Sequence, residues 1–260
     1  MKGTGDDERL EATLPATRVD VDGFYRIASN SGGRRFRRRP VHMESLKRIY
    51  RRFVLGNRGM KFPPLSPKLA TMIRNSGDPV RYGSMALAIA GLDRAGIPGA
   101  LAEVGVWRGD TSRFLHLQAP HRVLHLFDTF QGFPGGDLEN AKPSDAIRFR
   151  ESSLEAVKSR LGNAENVLFH VGRFPDTAAG LSHETFSFVL IDVDIYKPTL
   201  AALEFFYPRL SKGGYCFIHD YNSPESNCAV SRAVTSFFKN RSEFLVELPD
   251  VWGSVVFRKS

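Results

Sequence analysis

At 260 residues, 42% hydrophobic and 25% charged, the chain has the proportions of an ordinary globular protein, with enough apolar sequence for one full core and an appendage. No apolar run approaches the roughly 20 residues that span a bilayer, the opening MKGTGDDERLEATLP holds no apolar signal segment, and Cys216 and Cys228 are too few for a disulfide framework; a membrane protein and a disulfide-stapled secreted one are excluded, and a cytoplasmic protein is expected. The net charge of +8 is local: Arg34 to Arg58 carries ten Lys or Arg against Glu44 alone, so the rest of the chain is close to neutral. Such a segment reads either as a solvated arm or as a contact for an acidic ligand or partner. Aromatic interleaving is thin there, which ranks nucleic acid low.

In chain order, residues 1–40 are polar and end in GGRRFRRRP, so flexibility is expected through much of this stretch. VHMESLKRIYRRFVLG (41–56) places Met43, Leu46, Ile49, Tyr50 and Phe53 at helical spacing with Gly56 as a stop, and KFPPLSP reads as a loop. These readings give a basic N-terminal extension over 1–65 and a main domain over 66–260, with the regular core beginning near residue 80. There GSMALAIAGLDRAGIPG predicts a helix, ALAEVGV (100–106) a strand, DTSRFLHLQ a helix, RVLHLFD (122–128) a strand and DAIRFRESSLEAVKSRLG a helix. NVLFHVGRF (166–174) and FSFVLIDVD (186–194) predict strands, KPTLAALEFFYPRL a helix, GYCFIHD (214–220) a strand and SNCAVSRAVTSFFKN a helix, before a closing pair of strands in EFLVELPD and WGSVVFRK. Strand–helix alternation of this kind implies a doubly wound, mostly parallel seven-stranded α/β sheet with an antiparallel C-terminal edge.

Open α/β sheets bind ligands beyond the carboxyl ends of their strands. The first predicted strand carries Glu103 and leaves through Gly105 and Gly109, which let a ligand approach the backbone ahead of a helix N-terminus. This G-x-x-x-G is not the G-x-G-x-x-G of dinucleotide folds, which disfavours a nicotinamide-dependent reductase. Asp128 ends the second strand, where an acid accepts hydrogen bonds from ribose hydroxyls. Asp192 and Asp194, two residues apart on a predicted strand, point the same way, and like charges held so close are costly unless something uses them. Asp194 could instead cap the next helix, with Pro198 in its first turn. Asp220 ends the next strand, one crossover helix later.

The motifs EVGVWRG, FDTFQGFP, VGRFPDT, DVDIYKPT, FYPRLSKGGY and HDY, in this order and spacing, resemble the macrocin O-methyltransferase family over about residues 70 to 240. The resemblance implies a class I, Rossmann-like fold and an S-adenosylmethionine-dependent enzyme that methylates a hydroxyl of a small molecule, a sugar or other natural-product intermediate, with a homo-oligomer left open. It implies that Glu103, Gly105 and Gly109 shape the pocket for the methionine part of the cofactor, that Asp128 holds the ribose, and that Gly172, Arg173 and Phe174 meet the adenine end. Ser112, at a helix start, is placed for the cofactor carboxylate, and Asp192 is counted with the cofactor-binding residues too. It implies a divalent cation, Mg²⁺ first and Mn²⁺ or another as alternatives, on Asp192 and Asp220, with Asp194 as the base that takes the hydroxyl proton. His219 stands where the family has an acid, and three readings are open: a nitrogen ligand of the metal, a general base, or neither. Lys197 also replaces an acid. TFQGFPGGDLENAKPSD (129–145) reads as a lid or substrate wall, with Trp107, Phe130 and Phe133 excluding water. Two rivals stand beside this reading: an RNA-binding or RNA-modifying methyltransferase using the basic arm, and a catalytically weak cofactor-binding scaffold.

Overall fold

The computed structural model describes residues 65–133, 149, 152–224 and 227–260. The expected helix over 41–56, the basic segment and most of the 129–145 loop lie outside the described residues. Every described residue belongs to one compact unit, within Ile49–Ser260.

Two helices open it. α1 (Pro67–Asn75) begins on the last residue of the expected KFPPLSP loop and runs through a stretch for which no element was expected: Ser66 caps it by accepting from the Leu69 amide at 3.3 Å and Pro67 sits in the first turn, where its missing N–H costs nothing. The same Asp/Ser-Pro device starts α2 (Pro79–Arg94): Asp78 accepts from the Arg81 amide at 3.0 Å. The helix therefore begins well before the Gly83 expected from apolar spacing. Leu69 and Ile73 of α1 are buried in the core, so the compact unit extends N-terminal to residue 80.

The remaining elements alternate as expected: β1 (Ala100–Val104), α3 (Asp110–Gln118), β2 (Leu124–Asp128), α4 (Leu154–Leu161), β3 (Val167–Val171), β4 (Phe186–Ile191), α5 (Tyr196–Phe206), β5 (Leu210–Ile218), α6 (Ala229–Phe238), β6 (Val246–Leu248) and β7 (Ser254–Arg258). They form one seven-stranded sheet in the order β3-β2-β1-β4-β5-β7-β6, in which β7 runs antiparallel to β5 and to β6. Side chains alternate between two apolar layers, as a sheet covered on both faces requires. Phe188 and Leu190 of β4 pack with Met85, Ile89 and Phe114 of the helices on one face, and Val189 and Ile191 pack with Leu203, Phe206 and Val234 on the other. Each such Phe or Leu taken fully out of water contributes about 1.5–3 kcal/mol. Among the described residues no helix is long and apolar enough to cross a membrane.

β4 stops at Ile191 rather than Asp194, and α4 starts at Leu154 behind a Ser153 cap, shorter than the expected helix. β5 starts earlier than expected, taking in Leu210 to Gly213 with Leu210 paired to Phe186 of β4, and it stops at Ile218, which leaves His219 and Asp220 beyond the strand.

On β2 and β3 two imidazoles meet, His125 Nδ1 to His170 Nε2 at 2.9 Å, stacked with Phe127. Burial, with the His170 ring beside it, lowers the His125 pKa from 6.5 to about 4. Above pH 6.5 the ring is neutral in the folded and the unfolded chain alike. As pH falls from 6.5 toward about 4, the unfolded chain takes a proton that the folded one refuses, so this group lowers stability in that window. Urea unfolding of His125→Gln between those pH values should show a shallower acid-side loss of stability than the wild type; an identical slope would contradict the burial of a neutral pair.

Candidate active site

The sheet order reverses between β1 and β4, and a cavity of about 730 Å³ opens there at the carboxyl ends of the parallel strands. Glu103, Asp128, Asp192, Asp194, His219 and Asp220 all reach it. The acids that the sequence spreads over more than a hundred residues are gathered because parallel strands end on one edge.

The densest charge lies beyond β4 and β5. Asp192 Oδ1 is 3.1 Å from His219 Nδ1, and that nitrogen is 3.0 Å from Asp220 Oδ2. His219 Nε2 donates to the Val251 carbonyl at 3.0 Å, and Arg81 Nη1 donates to Asp192 Oδ2 at 2.9 Å. Burial works against a charged imidazole, yet the Asp192 and Asp220 carboxylates outweigh it and push the His219 pKa up to about 10. Burial would likewise raise Asp192, but His219 and Arg81 hold its carboxyl well below the usual range. His219 thus belongs to the carboxylate cluster. Both ring nitrogens are committed within it, so the general-base reading does not fit its geometry.

Asp194 is not on a strand. It adopts φ 58°, is buried, and lines the same cavity. The residue at the cap of α5 is Ile195, with no side-chain cap bond, so helix capping does not explain Asp194. Its separation from Asp192 comes from the turn after β4 and not from the pleat. Lys197 is exposed and not among the residues lining the cavity.

On the β1–β2–β3 side, Glu103 is fully buried. Burial raises its carboxyl pKa well above the ordinary value, with Asp192 and Asp128 adding to the rise and Ser112 opposing it. The Ser112 hydroxyl donates to Glu103 from a buried position, so it supports that acid from behind and does not face the cavity as expected. Asp128 accepts from the Val106, Trp107 and Phe130 amides at 2.7, 2.9 and 2.7 Å, clamping the turns after β1 and β2 together while still lining the cavity. Gly105 has φ 91°, and a Cβ there would lie 1.9 Å from the Asp192 carbonyl, so its lack of side chain admits the neighbouring loop. Gly109, in the left-handed region at the start of α3, makes room for Val157 and does not line the cavity. Gly172, at φ 137°, and Arg173 line it, as does Phe174, whose ring also packs on Phe206 and Phe127 in the core. Of the expected apolar walls, Trp107 and Phe133 line the cavity and Phe130 is buried away from it.

The family described as macrocin-O-methyltransferase (TylF) matches residues 57–259. The chain belongs to the macrocin-O-methyltransferase family. It is 34% identical over 142 residues to the 8-demethyl-8-(2,3-dimethoxy-alpha-L-rhamnosyl)-tetracenomycin-C 4'-O-methyltransferase of Streptomyces olivaceus, covering 48% of this chain and 54% of that one. It is also 34% identical over 155 residues to the mycinamicin III 3''-O-methyltransferase of Micromonospora griseorubida, covering 53% and 61%. The matches thus span little more than half the length of these relatives. Among solved structures, the O-methyltransferase NovP superposes with a TM-score of 0.58 at 25% identity over 68% of this chain and 78% of that one. The calicheamicin methyltransferase CalS11 superposes with a TM-score of 0.57 at 19% identity over 88% and 99%, a likeness of fold.

Several groups of this macrocin-O-methyltransferase family member's cavity escaped sequence reasoning. Arg81 neutralises Asp192 from the first turn of α2, and the Asp78-Pro79 cap that places it there was the available signal. The Val251 carbonyl is a backbone group and leaves no residue signature. Asp78, His219 and Asp250 form a second close cluster, but Asp78 is taken up by the Arg81 and Val251 amides and Asp250 by Ser254, so it serves as structure. Backbone strain also concentrates here: Trp107, Phe149, Asp194, Asp220 and Trp252 line the cavity with φ between 49° and 67°, a region that bulky residues rarely adopt and that recurs at functional sites.

Because the Gly105 Cα faces the Asp192 carbonyl, Gly105→Ala combines a clash with an unfavourable φ and should cost about 3 kcal/mol or more, a fall in Tm of roughly 6–12 °C. A Tm within about 2 °C of the wild type would mean that the Asp192 turn is not held against β1.

Proposed function

We propose that this protein transfers a methyl group from S-adenosylmethionine to a hydroxyl of a sugar-bearing natural product, within the biosynthesis of a compound of the antibiotic kind. The observation that carries this reading is the meeting of Asp192, Asp194, His219 and Asp220 beside one cavity at the switch in strand order. The relatives named for O-methylation of mycinamicin III, of a rhamnosyl tetracenomycin and of demethyldecarbamoylnovobiocin support the acceptor class.

The donor occupies the β1–β2–β3 half. Glu103 and Gly105 border its methionine part, Asp128 offers its remaining lone pairs to the ribose, and Gly172, Arg173 and Phe174 border the adenine. The acceptor enters the β4–β5–β7 half and presents one hydroxyl to Asp194. Its oxygen attacks the methyl carbon from the side opposite sulfur. A C–O bond forms as the C–S bond breaks, the electron pair leaves with sulfur as S-adenosylhomocysteine, and the hydroxyl proton passes to the Asp194 carboxylate. Trp107, Phe133 and Phe149 keep water from the sulfonium, and holding the two partners in line accounts for much of the rate.

A divalent cation fits the chemistry of the donor set. Asp192, His219 and Asp220 offer two carboxylate oxygens and a ring nitrogen within 4.8 Å of one another, and the Val251 carbonyl fixes the His219 tautomer with Nδ1 toward the acids. Two carboxylates suit Mg²⁺, and an imidazole beside them extends the choice to Mn²⁺. Such an ion supplies Lewis acidity to a hydroxyl oxygen. Arg81 balances the acids around it.

Asp194→Asn should lower kcat by about 10²-fold or more while calorimetry finds the S-adenosylmethionine affinity unchanged; turnover within about threefold of the wild type would remove Asp194 as the base. Dialysis against a chelator should abolish turnover, with Mg²⁺ or Mn²⁺ restoring it. Full turnover in chelator would dispense with the ion and leave Arg81 and His219 to supply the positive charge at the acids.

A further inference from the structure

The turn between β6 and β7 is held more firmly than a hairpin tip requires. The Val251 amide donates to Asp78 Oδ2 at 3.0 Å, and the Val251 carbonyl accepts from His219. The Trp252 carbonyl accepts from the Asn222 amide at 3.0 Å and the Gly253 carbonyl from the Tyr221 amide at 2.9 Å. Asp250 accepts from the amide and hydroxyl of Ser254, and the space beside Gly253 is filled by Asn222, 2.9 Å from where a Cβ would stand. At the centre of this pinned main chain is Trp252, at φ 67°, a conformation glycine or asparagine would adopt with less strain.

A bulky residue kept in a strained position calls for a use of its side chain. Trp252 is 44% exposed and lines the cavity, next in sequence to the Val251 carbonyl that accepts from His219. The chain's other tryptophan, Trp107, is engaged by Phe149 and by the Arg108 guanidinium. Among the described residues, no ring or cation packs on Trp252. A rigid, apolar face, unpartnered among the described residues, therefore borders the half of the cavity that holds the acids. Asn75, exposed at the end of α1, lines the same cavity and offers an amide. An aromatic face with a few polar groups beside it suits a ring that is apolar on its C–H face and hydroxylated at its rim, which is a pyranose.

We propose that Trp252 is the acceptor platform: its indole takes the C–H face of a sugar ring and so directs one hydroxyl toward Asp194, with Asn75 meeting a second hydroxyl. This rests on the methyl-transfer reading above and adds the residue that selects a sugar. Asp78 is a positioning residue for the platform, since its carboxylate fixes the Val251 peptide from which Trp252 projects.

Kinetics of the full chain with S-adenosylmethionine, using methyl α-L-rhamnopyranoside and mycinamicin III as acceptors, test it. Trp252→Gly removes the strain with the ring, so Tm should stay within about 3 °C of the wild type and donor affinity within about twofold, while the acceptor KM rises about tenfold or more with little change in kcat. Trp252→Phe keeps a ring and should raise KM by only about threefold. An unchanged acceptor KM in Trp252→Gly overturns the proposal, as does an equal loss of donor affinity, which marks a purely structural residue. If the wild type methylates neither sugar, the proposed function fails, and fluorescence then decides the platform by itself. In a Trp107→Phe chain Trp252 is the sole tryptophan: saturable quenching by methyl α-L-rhamnopyranoside supports the platform, and its absence overturns it.

Discussion

Four carboxyl groups, those of buried Glu103, Asp194 and Asp220 and half-buried Asp192, stand beside one cavity, and carboxylates taken out of water are costly unless they are paired. The structure meets that cost in different ways. Glu103, with Ser112 as its hydrogen-bond partner, is pushed toward its neutral form. Asp192 keeps its charge because Arg81 and His219 lie at 2.9 and 3.1 Å. Asp220 shares the His219 nitrogen. Asp194 is buried at the turn after β4, beside the same cavity. In the proposed reaction, a donor that arrives with a positive sulfonium would meet a site whose acids outnumber its bases, and methyl transfer would consume that positive charge as the acceptor gives up a proton.

Holding these groups in register takes a frame that bends the backbone in costly ways. The Asp192 carbonyl occupies the place of a side chain at Gly105, so the turns after β1 and β4 interlock. Asp128 ties the turns after β1 and β2 through three backbone amides. The β6–β7 tip is tied to α2 through Asp78 and to β5 through His219. The β1–β2 turns, the acid cluster and the β6–β7 tip are thereby joined through main-chain groups, which move less than side chains and preorganise the cavity. The left-handed Asp194, Asp220 and Trp252 are the local cost of that arrangement.

Much of this was legible in the sequence, for identifiable reasons. The apolar runs at 100–106, 122–128 and 186–194 announce strands buried on both faces, and a parallel sheet must deliver Asp128, Asp192 and Asp220 to one edge. The convergence of Asp192 with Asp220 followed from the adjacency of β4 and β5. What stayed hidden depends on turns and on backbone. Asp194 looked like a strand residue because nothing in DVDIY signals a left-handed turn after Ile191. Gly105 and Gly109 looked like ligand clearances, although their neighbours are Asp192 and Val157. Ser112 sits at a helix start, where a ligand contact is natural, and only the fold turns it toward Glu103. Arg81 was missed because apolar periodicity began the helix too late, past the Asp78-Pro79 cap. Trp252 was read as part of a strand, and no period marks the tip of a hairpin as one wall of a cavity.

The division of the cavity into a donor half and an acceptor half is the claim on which the mechanism rests, and a crystal structure of the full chain with S-adenosylhomocysteine tests it most directly. The account predicts the ribose at Asp128, the amino-acid end beside Glu103 and Gly105, and the sulfur directed toward Asp194 across the turn after β4. Density that placed the nucleoside against Trp252, or turned the sulfur away from Asp192 and Asp194, would contradict it.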